Sequence, residues 1–222
     1  MSLSCLCMRE LVKISCRALA IVFSLAWCAQ AATPNGEEAL YALLKSGGRV
    51  VLMRHAITTM GLGDPPGVRI GDCSTQRNLT DEGRRHAMRI GEALRANNIS
   101  MDKVLSSPMC RCLDTARLVF GRIDGAQPVA SAYARSDEKA QQVREMRALA
   151  SEKPRGGNVV LVSHESTIRA VTGLSVEPGE MVIVTPQGDG LFEINGRLMP
   201  AVPEHLNVNP RRKSIDMPLP AR

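Results

Sequence analysis

Aromatic side chains are scarce in this chain: one Trp, two Tyr and three Phe among 222 residues. The core must therefore be aliphatic, and the interleaving of basic and aromatic residues by which single-stranded nucleic acid is stacked and held is missing. No nucleic-acid partner is expected. Long apolar runs are missing too. A helix that crosses a bilayer takes about 20 apolar residues. The apolar stretch of the N-terminal region, Ala18–Trp27, falls short of that. Cysteine is seven strong, but Cys5, Cys7, Cys16 and Cys28 crowd the chain ahead of Ala29 and only Cys73, Cys110 and Cys112 follow. The Cys110-x-Cys112 spacing is too tight for a zinc-binding pair and has no matching second pair, so no metal is expected. The glycines of the stretch after Thr58 do not complete G-x-G-x-x-G, because Pro66 stands in the last place, so no nucleotide cofactor is expected either.

What the N-terminus does have is Arg9, Lys13 and Arg17 ahead of the apolar run, and Ala29-Gln30-Ala31 behind it. This layout predicts a secretory signal peptide over 1–31, cleaved after Ala31, with export to the periplasm and no stable membrane span in the mature chain. Cleavage removes three basic residues and one acidic residue, so the formal net charge of +6 falls by two. A mildly basic protein suits acidic small molecules. An oxidising compartment permits one disulfide among the three remaining cysteines, with Cys73 pairing to Cys110 or Cys112. One domain is expected over 32–199, followed by a Pro-rich basic tail at 200–222 carrying Arg211-Arg212-Lys213.

Within the domain, Val50-Val51-Leu52-Met53 and Val159-Val160-Leu161-Val162 are unbroken aliphatic runs, the pattern of parallel strands buried on both faces. Each ends abruptly in polar groups: Arg54-His55-Ala56 after the first, Ser163-His164-Glu165 after the second. Strands alternate with helices predicted at Glu37–Lys45, Thr80–Asn97, Pro108–Phe120, Asp137–Glu152 and Ser166–Thr172. Further strands are predicted at Lys103–Ser106, Pro128–Ser131, Met181–Thr185 and Leu191–Leu198, the last broken by a turn at Asn195-Gly196. The expected architecture is a three-layer α/β/α sandwich with a mostly parallel central sheet. Open sheets of this kind put their chemistry at the carboxyl ends of the strands, so His55 and His164 should share one site. Arg111, in the first turn of the helix after the strand at Lys103–Ser106, should join them. The converging groups are cations or neutral donors, so the ligand should be an anion.

The runs Arg54-His55-Ala56, Ser106-Ser107-Pro108…Arg111…Thr115-Ala116 and Ser163-His164 resemble, in that order, the signature segments of the histidine phosphatase superfamily, in its phosphoglycerate-mutase-like group. The stretch from Asp72 to Gly83 resembles the segment leading into that family's first long helix, and the resemblance extends over roughly Gly48 to Gly173. It implies that His55 is a phosphoryl-accepting nucleophile, that Arg54, Arg111 and His164 clamp the phosphate, and that Thr58 and Arg77 contact the substrate. It places the general acid on Glu138, near the start of a helix, in preference to Glu165, which sits beside His164 where the family usually has glycine. The implied activity is metal-independent hydrolysis of a small phosphorylated substrate, with a phosphorylated sugar or glycolipid suggested by similarity to small exported bacterial members of the lipopolysaccharide-core heptose phosphatase type. Two rivals share the motifs: an anion-binding protein with a degenerate phosphatase site, and a protein-phosphohistidine phosphatase. His86, in mid-helix, and His205, in the tail, are expected to be structural or solvated.

Overall fold

The computed structural model describes residues 36–59, 63–126 and 136–201 and, at 136–139, the backbone alone. The expected signal peptide, nearly all of the expected tail and the strand expected near Pro128–Ser131 lie outside the described residues. The elements run α1 (Gly36–Ser46), β1 (Val50–Arg54), a 3-10 turn (Cys73–Thr75), α2 (Asp81–Ala96), β2 (Met101–Ser106) and α3 (Cys110–Phe120). β3 (Gly125–Ala126), α4 (Ser136–Ser151), β4 (Asn158–Ser163), α5 (Glu165–Thr172), β5 (Met181–Gly188) and β6 (Leu191–Leu198) follow.

The strands form a six-stranded sheet among the described residues, in the order β3-β2-β4-β1-β5-β6. β3, β2, β4 and β1 are mutually parallel, whereas β5 runs antiparallel to both β1 and β6. Period-two alternation sends side chains to opposite faces. Val51, Met53, Val160, Val162, Met181 and Ile183 pack against α1, α2 and α3, whose Leu40, Ile90 and Ala116 are buried there. Val50, Leu52, Leu161, Val182 and Val184 pack against Met146 of α4 and Ile168 of α5. This is the three-layer α/β/α arrangement, and both cores are aliphatic.

Local sequence explains how the elements are seated. Thr80 caps α2, its hydroxyl accepting from Gly83 N, with Asp81 and Glu82 favourably placed in the first turn. Gly83 must be glycine because any Cβ would collide with the Ile57 carbonyl, so α2 starts directly against the chain leaving β1. The Asn195-Gly196 turn expected within the last strand is not there. β6 continues through it, and the register shift that passes over Asn195 is a bulge, with Asn195 Oδ1 accepting from Thr185 Oγ1 at 2.8 Å. The reversal lies instead at Asp189 and Gly190, whose backbones both have positive φ, as a tight hairpin turn requires. β5 also runs past Thr185 to Gly188: Pro186 is tolerated because β1 pairs no further than Val184, which leaves that edge open.

Candidate active site

β1 and β4 end level with each other. Arg54 is paired with Ser163, and His55 N donates to Ser163 O at 3.0 Å. β2 ends beside them, with Ser107 N donating to Val162 O at 2.9 Å. Hence the residues just past the three strands, His55, Ser107 and His164, meet at one place, and the rings of His55 and His164 lie edge to face with centroids 5.5 Å apart.

Each histidine is fixed by its neighbours. His55 Nδ1 lies 2.8 Å from Ala56 O. A carbonyl can only accept, so Nδ1 carries the proton and Nε2 keeps its lone pair. Burial, with Arg111, Arg54 and Arg77 close enough to repel a proton, pushes the His55 pKa down to about 3. The imidazole is neutral at ordinary pH. His164 is held well below its usual range by the same two causes, burial first and then Arg111. Arg111 Nη2 approaches its Nδ1 at 3.3 Å and Ser107 Oγ its Nε2 at 2.9 Å. Because a guanidinium can only donate, Nδ1 of His164 is the acceptor and its Nε2–H points to Ser107.

Three guanidiniums surround this pair, and Arg111 is the most enclosed of them, at 1% exposure in the first turn of α3. Arg54 Nη1 donates to Val176 O at 2.6 Å and Arg77 Nη1 to Thr59 O at 3.3 Å. In all three arginines Nε is buried and has no partner among the described residues. Unmet buried donors are costly, and here they belong to the same three cations that act on His55. The N-termini of α3 and α5 are at the same strand ends, which adds positive potential. An anion with several acceptor oxygens fits this site.

Arg54, His55, Arg111 and His164 are thus brought together, with Arg77 beside them. Thr58 is buried, its backbone bridged to Leu79. Glu165 opens α5 and faces Arg169, its Oε1 3.6 Å from Nε, yet it is also close enough to support the charge of Arg54, whose pKa burial lowers. Glu138 is the third residue of α4, where its side chain is outside the description.

Of the supporting residues, Asp64 and Gln76 carried no signal of their own. Asp64, in the glycine- and proline-rich loop, has a side chain 1% exposed and pairs with Arg111 Nη1 at 2.8 Å. Thr115 accepts from Ala56 N at 3.0 Å and donates to Arg111 O at 2.7 Å, tying the chain after His55 to α3. Gln76 caps α3 from the loop, its Oε1 accepting from Cys110 N at 2.9 Å, and Cys73 is disulfide-bonded to Cys110 one residue before Arg111. Cys112 stays free and buried, and burial pushes its thiol up to about 12, which leaves it inert. Ser107 and Thr115 belong to the serine- and threonine-containing run already noted, and their place at a strand end and helix face was the available clue.

The layered fold thus places a cationic, histidine-bearing site at the strand ends. A family model for the histidine phosphatase superfamily (branch 1) matches residues 50–132, which contain His55 and Arg111. A serine/threonine-protein phosphatase Pgam5, mitochondrial, of Drosophila virilis is 34% identical over 80 residues, 36% of this chain and 25% of that protein. This chain therefore aligns with only about a quarter of that curated relative. Two solved structures share the fold. One is a candidate alpha-ribazole-5'-P phosphatase from Escherichia coli, with TM-score 0.52 and 18% identity, covering 71% of this chain and 98% of that one. The other is the open reading frame Rv3214 of Mycobacterium tuberculosis, with TM-score 0.50 and 22% identity, covering 70% and 98%. The family-model match lies within residues 50–132, and the two solved structures show that the fold is shared.

Proposed function

We propose that this protein is an exported, metal-independent phosphomonoesterase that works through a phosphohistidine on His55. The observation that carries the reading is the neutral His55, its Nε2 lone pair free, beside three arginines whose buried Nε–H groups have no partner among the described residues. Substrate phosphate would take up those donors. His55 Nε2 then attacks phosphorus, a P–N bond forming as the ester P–O bond breaks, and the leaving oxygen takes a proton from a carboxylic acid. Water then attacks the phosphohistidine, giving a proton to the carboxylate as the P–N bond breaks, which releases inorganic phosphate and restores both the imidazole and the acid. The transferring group carries its charge on its equatorial oxygens, so donors already in place lower the barrier without reorganisation. His164 seats Arg111, and Thr58 and Arg77 complete the phosphate pocket. Glu138 supplies the proton in this reading, with Glu165 as the competing carboxylate.

Export to the periplasm rests on the signal-like layout of 1–31, and the Cys73–Cys110 bond suits an oxidising compartment. The substrate is a small phosphorylated molecule, of the phosphorylated sugar or glycolipid kind that the heptose-phosphatase resemblance suggests. The mature protein should hydrolyse para-nitrophenyl phosphate and sugar phosphates, and a chelator should leave the rate unchanged. Tight phosphate binding with no turnover of any ester would instead favour a degenerate, anion-binding site.

A further inference from the structure

Arg111 does not offer its whole fork to a ligand. Nη1 is engaged by Asp64 Oδ1 at 2.8 Å and lies 3.4 Å from Arg77 O, while Nη2 faces His164. The same Asp64 oxygen accepts from Arg77 N at 2.8 Å, so one carboxylate joins two of the three arginine-bearing segments. Both side chains of the pair are almost fully enclosed, 2% exposed for Arg111 and 1% for Asp64. The loop bearing Asp64 is itself fastened to α3 by the Cys73–Cys110 bond and by Gln76. Asp64 is the carboxylate bonded to Arg111, while Glu165 and Glu177 lie close enough to Arg54 to support its charge. Without Asp64 the site would be one unit more positive, and Arg111 would lose the counter-charge bonded to it.

We propose that Asp64 is the built-in counter-anion of the phosphate clamp, fixing Arg111 and weakening its hold on phosphate enough for product to leave. The inference rests on the phosphatase reading for its purpose but not for its measurement. A carboxylate and a phosphate oxygen compete for the same guanidinium, so removing the carboxylate's charge must favour the remaining anion. A purely structural Asp64 predicts the opposite sign: Arg111 would loosen and phosphate would bind more weakly.

The test is calorimetric titration of inorganic phosphate into the full, disulfide-bonded protein and into Asp64→Asn, which keeps an acceptor oxygen for Arg111, and Asp64→Ser. Both variants should bind phosphate about tenfold more tightly or better, and steady-state turnover should show correspondingly stronger inhibition by phosphate. Unchanged or weaker binding, or no binding by any of the proteins, would overturn the proposal. If one variant fails to fold the comparison is made on the other, and failure of both to fold shows a structural Asp64 and overturns the proposal. A wild-type protein that binds phosphate but cleaves no ester sinks the phosphatase reading and leaves the Asp64 result standing. Turnover by wild type with no tightening in the variants does the reverse.

Discussion

The ends of β1 and β4 are neighbours in register, both deliver a buried neutral histidine, and yet the two rings have opposite freedom. His55 spends one nitrogen on a backbone carbonyl and has no hydrogen bond on the other among the described residues. His164 has both nitrogens engaged, one by Arg111 and one by Ser107. Equal burial and equal strand position therefore give unequal chemistry, because the hydrogen-bond partners decide which lone pair is available. One ring is free to form a bond, and the other is built to hold an arginine.

The largest expected effect tests that asymmetry. His55→Ala should lower turnover by about 10⁴-fold or more, because the bond-forming atom is gone. His164→Ala should cost about 10²–10³-fold, the loss associated with one electrostatic support of the transition state. Equal losses, measured as kcat on para-nitrophenyl phosphate with both variants folded, would erase the distinction between the two strand ends.

Next in size is the general acid, which asks whether the β4 end also supplies the proton. Replacing the true acid by glutamine should cost about 10²–10⁴-fold on alkyl phosphates and far less on para-nitrophenyl phosphate, whose leaving group needs little protonation. Glu138→Gln is expected to show this selective loss and Glu165→Gln not to; the reverse result would move the acid to the residue beside His164.

The smallest effect is on stability, where the two histidines should behave alike. The folded-state pKa of His55 is depressed, to about 3 against 6.5, so between those values the unfolded chain binds the proton that the folded one refuses. Stability is full above about pH 6.5 and falls as pH drops below it, approaching about 1.4 kcal/mol per pH unit for each histidine. His164, depressed in the same direction, adds to the slope. Urea denaturation from about pH 7.5 to about pH 5 should show the decline in wild type and a shallower one in His55→Gln. An unchanged slope would mean that His55 is not held neutral.

Both strand ends were legible in the sequence because buried parallel strands write themselves as unbroken Val and Leu, and the polar residues that stop them stand out. The cap at Thr80 and the arginine in the first turn of α3 were legible for the same local reason. Asp64 was not, since a carboxylate in a loop rich in glycine and proline has no period to place it, and its partner Arg111 is far along the chain. Nor was the choice between a turn and a bulge at Asn195-Gly196: the dipeptide favours both left-handed turns and irregular strands, and only pairing with β5 selects the bulge. Cys110 rather than Cys112 as the partner of Cys73 was likewise a matter of helix face, as Cys112 points inward toward Ser163 O and His164.

The proposed reaction stands or falls on which atom accepts the phosphoryl group. Rapid quenching of wild-type protein during turnover of phosphorus-labelled substrate, followed by peptide mapping and phosphorus NMR, should find an acid-labile, base-stable phosphate on Nε2 of His55. The same label should be present in His164→Ala and absent from His55→Ala. Label on His164, or steady turnover with no phosphoprotein at any time, would contradict it.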